Sequence, residues 1–416
     1  MTSIPRGPRQ RPTPREPYGG TPSGLPIAAI VSVVGLLVVA IVTFSLGSGD
    51  LPFGIGGGGG GGGTGPGQSG KPDVARTPTP SNVVVVPSED PGVKVPGTIV
   101  YAKDGNIWLQ SNGEATQLTN SGRDSMPSFS EDGQAVYFVR TRQDDGLWSV
   151  SGVLKKYVLD IPSILRVPVS GGTPTKILDG VVDPAGSWKW MGFIRGPVIS
   201  PDGKTVAMVS DLPDPTRSDV TLKLLNVANG RITDLGLSQR PPLGHQDATW
   251  RPDGLKLAYV FADRDGAKGT PSIWAWDIKT KKSRQITGPG YLQPSYSPDG
   301  RYIAATKTSA FGTDVVIIDT STGAELLKLT DDGASWAPSW SPAGDQVAFL
   351  HVDGQVVDLR LVQLAGSAPS WTVGETIDLT SAAGLDGISR PDWHIPADQL
   401  PAPAPATPAP SASTTP

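Results

Sequence analysis

A short unit repeats along the middle of the chain, and this repetition limits the possible folds more than any other feature of the sequence. In each complete copy, a large apolar or aromatic residue is followed three residues later by an Asp-Gly or Ala-Gly pair and then by alternating apolar residues. The large residues are Phe129, Ile199, Trp250, Tyr296, Trp340 and, in an incomplete last copy, Trp393. An Asp-Gly pair between two short alternating runs is typical of a β-hairpin, because a tight turn needs the positive φ that glycine adopts easily.

Two more predicted strands follow each hairpin, so four strands form one unit, as in the blade of a β-propeller. The copies are 44 to 70 residues apart, and we expect inserted loops where the spacing is largest. The repeat region opens with three strands that lack a first strand and ends with a first strand around Trp393. Pairing these two ends would close a ring of six blades and remove its open edges. We therefore predict an all-β fold, a six-bladed propeller closed by its N- and C-terminal strands, with one N-terminal transmembrane helix and disordered tails.

These motifs, together with Leu-Thr or Ile-Thr pairs ending at Thr119, Thr287, Thr330 and Thr380, resemble the TolB-type six-bladed propeller repeat. The resemblance extends over residues 97–395. It implies a propeller that serves mainly as an interaction platform. The chain departs from TolB because it has a predicted membrane anchor and no obvious α/β domain before the propeller. The resemblance therefore indicates the fold and not a role in the Tol–Pal system.

Outside the repeats, an uncharged segment of 20 residues runs from Ile27 to Leu46, which is the length that a helix needs to cross a bilayer core. Four arginines precede it, so the positive-inside rule predicts a cytoplasmic N-terminus and an extracytoplasmic propeller. A cleaved signal peptide is the alternative. We assign residues 1–24 to a disordered cytoplasmic tail, 25–46 to the anchor, 47–96 to a flexible Gly- and Pro-rich linker, and 396–416 to a second disordered tail.

The residues that carry chemistry exclude several classes of protein. The chain has no cysteine, so disulfides, thiolate metal sites and a cysteine nucleophile are excluded. Its net charge of -4 argues against a nucleic-acid partner. No histidine has a metal-ligand partner at the usual spacing, and no G-x-S-x-G motif follows the repeats. We predict no metal, no cofactor and no catalytic residue, and we expect the aspartates of the Asp-Gly pairs to stabilise turns.

The partner surface is expected on one face of the propeller. We call it the loop face: there, the loops from strand 2 to strand 3 and from strand 4 to the next blade surround the channel mouth. The opposite face, with the Asp-Gly turns, is the turn face. The longest insertions, residues 143–163 and the aromatic-rich 181–196, belong to the loop face. The candidate partner-binding residues, which precede the first strands or lie in the aromatic insertion, are Asp124, Trp188, Trp190, Arg195, His245, Gln246, Gln293, Trp336 and Arg390.

These expectations predict a monomeric, non-enzymatic, membrane-anchored propeller of the bacterial cell envelope that binds an envelope protein or peptide. Because the predicted linker and tail join the propeller at the turn face, we expect the loop face to point away from the membrane. One alternative is a glycan or small ligand in the channel, indicated by stacked tryptophans. Another is a hydrolase or lyase, indicated by three or more inward-facing carboxylates or histidines at the mouth. A mostly apolar loop face without a deep pocket would favour a protein partner.

Overall fold

A computed structural model describes residues 84–87, 95–182, 189–215, 217–237, 244–262 and 269–400, and these residues form 27 β-strands. The strands of blades 1 to 3 are β1 (Val84–Pro87), β2 (Thr98–Lys103), β3 (Asn106–Ser111), β4 (Glu114–Gln117), β5 (Asp124–Phe129), β6 (Ala135–Val150), β7 (Val153–Pro168), β8 (Thr175–Asp179), β9 (Val181–Val182), β10 (Trp190–Met191), β11 (Ile194–Ile199), β12 (Thr205–Ser210), β13 (Thr221–Asn226) and β14 (Ile232–Asp234).

The remaining strands form blades 4 to 6 and complete blade 1. They are β15 (His245–Trp250), β16 (Lys256–Phe261), β17 (Ser272–Asp277), β18 (Lys282–Gln285), β19 (Tyr291–Tyr296), β20 (Tyr302–Ser309), β21 (Gly312–Asp319), β22 (Glu325–Lys328), β23 (Ser335–Trp340), β24 (Gln346–Asp353), β25 (Val356–Ala365), β26 (Thr372–Asp378) and β27 (Asp392–His394).

Six antiparallel sheets form the blades of the propeller, as the repeat predicts. Five of them contain four consecutive strands, namely β5–β8, β11–β14, β15–β18, β19–β22 and β23–β26. The sixth, blade 1, has the strand order β1-β4-β3-β2-β27, so the last strand of the chain supplies its innermost position. Thr98 pairs with His394 and Val100 with Asp392, which closes the ring in the predicted way.

The six large residues of the repeat form the core between neighbouring blades. Each is at most 9% exposed. Trp393 also closes the ring through its side chain, because its indole Nε1–H donates a hydrogen bond of 2.9 Å to the carbonyl of Pro96.

The Asp-Gly turns have a structural role, as expected. In the first turn, Asp132 Oδ1 accepts hydrogen bonds from Ser130 Oγ at 2.6 Å and from the N–H of Gln134 at 3.0 Å, and Gly133 has φ of 64°. The hydrogen bond from Ser130 holds the pKa of Asp132 below its usual value. Ser200 and Asp202 repeat the same contact at 2.6 Å. These carboxylates are therefore already engaged in their own turns.

A fifth strand on blade 1 changes the expected position of the linker. β1 lies within the predicted flexible linker and pairs antiparallel with β4, with Val84 opposite Gln117. Val84 therefore lies at the loop-face end of the blade, whereas we expected the linker to join at the turn face. A run of valines between turn-forming residues is typical of a strand. Its pairing partner is distant in sequence, however, so local patterns do not show that it joins blade 1.

The predicted insertion at 143–163 is a regular hairpin and not an irregular loop. β6 and β7 are 16 residues each and stay paired from Ala135–Pro168 to Val150–Val153. The outer strand β8 pairs only with residues 163–166, so the hairpin continues beyond the blade. We call residues 143–160 the arm. Eight residues of a strand span about 26 Å at the usual rise, so the arm projects well above the loop face.

The predicted membrane segment, residues 27–46, lies outside the described residues. Within the part of the chain that the structure describes, no helix is long and apolar enough to cross a bilayer.

Candidate functional site

The channel mouth is shaped by a β-bulge in the first strand of blades 2 to 6. At each bulge, one residue has a left-handed backbone conformation, with φ between 48° and 54°. These residues are Met126, Gly196, Asp247, Gln293 and Ala337. Only one of them is a glycine, although side chains rarely adopt this conformation. Bulges re-aim side chains, and here they form a ring at the loop-face end of the channel.

Side chains of this ring connect four of the six pairs of neighbouring blades. The N–H of Ala337 donates to Gln293 Oε1 at 3.0 Å, and the N–H of Gly196 donates to Met126 Sδ at 3.2 Å. The N–H of Gln293 donates to the carboxylate of Asp247. In blade 1, Ser389 takes the equivalent role, since its Oγ accepts from the N–H of Met126 at 2.9 Å. The mouth is thus held by contacts between blades.

Arg390 crosses the channel. Its backbone precedes β27 in blade 1, yet its Nη1 donates to the carbonyl of Pro294 at 2.6 Å and its Nη2 to that of Ala248 at 3.3 Å. These carbonyls belong to blades 5 and 4, and blade 4 is directly opposite blade 1 in a ring of six. The Arg390 side chain therefore crosses the channel axis with its guanidinium against blades 4 and 5, and in this sense it plugs the channel mouth.

Three carboxylates lie around the two arginines of the channel. Burial raises the pKa of Asp247, and the positive charges of Arg390 and Arg195 oppose that shift. Burial also raises the pKa of Asp386, where the charge of Arg195 opposes the shift. Burial raises the pKa of Asp392 as well, and there the charge of Arg390 opposes it. Asp392 Oδ2 accepts a hydrogen bond of 2.8 Å from the N–H of Phe129, which links blade 1 to blade 2. The charges of the two arginines thus act on all three carboxylates, and we call these five groups the charge network.

This network is not a metal site. Among the described residues, no group of three or more histidine, aspartate or glutamate side chains is placed to hold a metal ion.

Three of the predicted mouth residues belong to this site. Gln293 is part of the bulge ring, Arg390 fills the axis, and Arg195 lies near Asp247 and Asp386. Gln246, the neighbour of Asp247, is partly exposed at the start of β15.

Three other candidates are buried away from the channel. Asp124 is fully buried and forms an ion pair of 2.6 Å with Arg140 of β6. Trp336 is 2% exposed, and its Nε1–H donates to the carbonyl of Gly387 at 2.9 Å, so it packs in the core. His245 is 1% exposed, with ring contacts to Tyr259 and Phe261.

Trp190 braces the arm. Its ring packs edge-on against Tyr157 with centroids 5.5 Å apart, which is a contact within the protein. Trp188 lies outside the described residues, so the aromatic insertion is described only in part.

Asp247, Asp386 and Asp392 are mouth residues that we did not expect from the sequence. The sequence does indicate the positions of Asp247 and Asp392, because both are next to the proline position of the repeat. Asp247 directly precedes the residue aligned with the repeat proline, and Asp392 directly follows Pro391. Asp386 lies in the irregular segment before β27, and nothing local in the sequence indicates its position.

The turn face carries a polar cleft of about 520 Å³ between blades 4 and 5. Its charged lining residues are Arg251, Asp253, Lys256, Arg284, Asp299, Arg301 and Asp319. Arg251 forms an ion pair with Asp253, and Arg301 Nε lies 2.7 Å from Asp299. These charges largely neutralise one another, so the cleft is not the candidate site.

The stability of the loop face is expected to depend on pH through Asp211. Burial raises the pKa of this carboxyl from 3.8 to about 6, although the N–H of Phe193 donates a hydrogen bond to it at 2.7 Å. The folded protein keeps Asp211 protonated to a higher pH than the unfolded chain does. Its contribution to stability is therefore complete below about pH 4 and is lost as the pH rises through about 6.

We expect Asp211→Asn to remove this dependence, because the amide stays neutral and its oxygen can still accept from Phe193. In urea denaturation at pH 8 the variant should be more stable than the wild type by about 2 kcal/mol. The full shift would represent roughly 3 kcal/mol, but water reaches part of the carboxyl. At pH 4 the two proteins should be equal. Asp353→Asn, at an exposed hairpin tip, should change stability by less than about 0.5 kcal/mol at both pH values. If Asp211→Asn changed the free energy of unfolding by the same amount at pH 4 and at pH 8, Asp211 would not be the source of the pH dependence.

Comparison with known proteins identifies similar propellers. The family model PD40, described as the TolB beta propeller domain, matches residues 186–379. An uncharacterized protein of Agrobacterium fabrum is 28% identical over 215 residues, which are 49% of this chain and 67% of that protein. An uncharacterized peptidase of Bacillus subtilis, YuxL, is 34% identical over 122 residues, which are 27% of this chain and only 18% of the peptidase.

Two solved structures share the fold. TolB from Acinetobacter baumannii superposes with a TM-score of 0.52 at 18% identity, over 71% of this chain and 66% of that one. A putative TolB from Agrobacterium tumefaciens gives a TM-score of 0.50 at 18% identity, over 73% of this chain and 95% of that one. At this identity the likeness concerns the architecture alone.

Proposed function

We propose that this chain, a TolB-like six-bladed β-propeller with PD40 repeats, binds a protein or peptide of the cell envelope through its loop face and is not an enzyme. The membrane anchor and the extracytoplasmic location that follow from residues 27–46 are part of the proposal. The observation that carries it is the plugged mouth. Because Arg390 occupies the channel axis, recognition has to take place on the surface around the mouth and not in a deep cavity.

An exposed aromatic side chain on the same face supports a protein partner. Phe311 is 94% exposed at the tip of the β20–β21 hairpin. The backbone beside it is fixed, because the N–H of Thr313 donates to the carbonyl of Gly333 at 3.1 Å. A large aromatic side chain on an ordered backbone is the type of residue that contributes most to protein interfaces.

The charges at the mouth favour binding over catalysis. Three carboxylates at the mouth are the minimum number that we expected for a hydrolase or lyase. However, Asp247 and Asp386 lie near Arg195, and Asp247 and Asp392 lie near Arg390. A carboxylate that is buried beside a guanidinium of the same ring is engaged within the protein, which makes it a poor general acid or base. The match to YuxL covers too little of that peptidase to suggest its activity.

A channel ligand is also less well supported. Trp336, the tryptophan that we expected at the mouth, is buried in the core, so it offers no platform for a sugar.

Site-specific photocrosslinking tests this proposal. With a benzophenone amino acid in place of Phe311, in cells that contain the full-length protein, we expect a crosslink to one extracytoplasmic protein. Leu255, which is 54% exposed on the turn face, is the matched control position and should give no such product. Phe311→Asp should reduce capture from a second crosslinking position at Gln246. Crosslinking of equal strength and identity from positions 311 and 255 would contradict a specific loop-face interaction.

A further inference from the structure

We propose that the tip of the arm, residues 147–158, inserts into the headgroup region of an anionic lipid bilayer. This inference goes beyond the proposed protein partner. It starts from exposed apolar side chains: Val153, Leu154 and Val158 are 60%, 56% and 71% exposed. Burial of apolar side chains supplies the favourable free energy of interfacial insertion.

The charge of the tip complements anionic lipids. Residues 147–158 contain Lys155 and Lys156 and no acidic residue, although the whole chain has a net charge of -4. Both lysines are exposed. Their aliphatic stems can follow the apolar surface while the ammonium groups reach lipid phosphates. Each such lysine contributes about 1 kcal/mol of attraction near an anionic membrane surface.

The arm is braced on one side and free on the other. Tyr157 packs against Trp190, the N–H of Leu147 donates to the carbonyl of Lys189 at 2.8 Å, and Lys189 forms an ion pair with Asp144. These contacts hold the arm against the insertion before blade 3, at the level where the tip begins. Leu154, Lys156 and Val158 alternate with Tyr157 and point to the opposite side of the ribbon, where they are exposed.

The described N-terminal end of the chain lies on the same side of the propeller. β1 runs antiparallel to β4, so Val84 lies at the loop-face end of blade 1. The loop after β4 contacts β6 just before the arm begins, because the carbonyl of Arg123 accepts from the N–H of Thr141 at 3.0 Å. The arm therefore projects from the face at which β1 begins.

A label on the arm tests the inference in the full-length protein. The chain has no cysteine, so Ser151→Cys gives a single attachment site at the turn of the arm for an environment-sensitive fluorophore. Lys279→Cys labels an exposed turn on the turn face and is the matched control. Both proteins are placed in nanodiscs of phosphatidylcholine, with or without phosphatidylglycerol, and quenching by aqueous iodide is measured. We expect the label at 151 to be protected in anionic nanodiscs and the label at 279 to be quenched in both lipids.

Two sets of variants separate the contribution of the lysine charges to insertion from that of the apolar side chains. Lys155→Gln with Lys156→Gln should lower the ratio of inserted to free arms roughly thirtyfold in anionic nanodiscs, from the attraction of two lysines. Leu154→Asp with Val158→Asp should abolish protection in either lipid. Equal quenching at 151 and 279 in anionic nanodiscs would overturn the inference. So would protection at 151 that appears only when a captured protein partner is added, because the arm would then be a protein contact.

Discussion

Arg390→Met is expected to lower the free energy of unfolding by about 3 kcal/mol, since removing one partner of a buried ionic network leaves the others uncompensated. Methionine fills a similar length of the channel but carries no charge and no donor. Asp247 and Asp392 then lose their shared countercharge, and the carbonyls of Pro294 and Ala248 lose their hydrogen bonds across the ring. The loss should be larger at pH 8 than at pH 5, because protonation of the two carboxyls relieves it.

Urea denaturation followed by tryptophan fluorescence measures this effect. Arg301→Met is the matched control, because Arg301 is 67% exposed and also pairs with an aspartate, Asp299. An exposed pair contributes at most about 1 kcal/mol. If both variants lose the same small amount, Arg390 does not stabilise the ring in the way described.

A chain that ends at Pro391 is expected to lose its cooperative fold. It lacks β27, so the three residue pairs that close blade 1 disappear and the edge of β2 is exposed to pairing with other chains. It also lacks Trp393, a 5% exposed side chain whose replacement by alanine alone should cost about 3 to 5 kcal/mol. We expect aggregation in size-exclusion chromatography and rapid proteolysis.

A chain that ends at Leu400 is the control, since it keeps β27 and Ile395, which is 3% exposed. It should elute as the full-length protein does and unfold at the same urea concentration. A chain ending at Pro391 that remained monomeric and unfolded at the same urea concentration would show that ring closure is dispensable.

The repeat predicted the fold because a hairpin is a local structure. The large apolar residue, the Asp-Gly turn and the alternating strand lie within about a dozen residues, and each copy folds by the same local preferences. Ring closure was also predictable, because the incomplete copies at the two ends complement each other.

The mouth residues were predicted less well because of register. The candidates that we chose near the start of each first strand lie one, two or three residues before the proline or alanine of the repeat, so they do not share one register. Gln293 and Arg390 directly precede Pro294 and Pro391 and do face the channel. Asp124 lies three residues before Pro127 and points into the interior. A shift of one residue changes the face of a strand, and the bulge adds an irregularity that alternation does not reveal.

Sequence patterns were sufficient to predict the blade, the number of blades and the closing strand, because these follow from turn chemistry and from residues that are neighbours in the chain. The residues at the centre of the channel and the outermost strand of blade 1 became apparent only in the folded ring. Arg390 donates hydrogen bonds to carbonyls that are 96 and 142 residues away in the sequence. β1 pairs with β4, and β2 and β3 lie between them in the chain. Such contacts depend on the curvature of the whole ring, which brings together residues that share no local pattern.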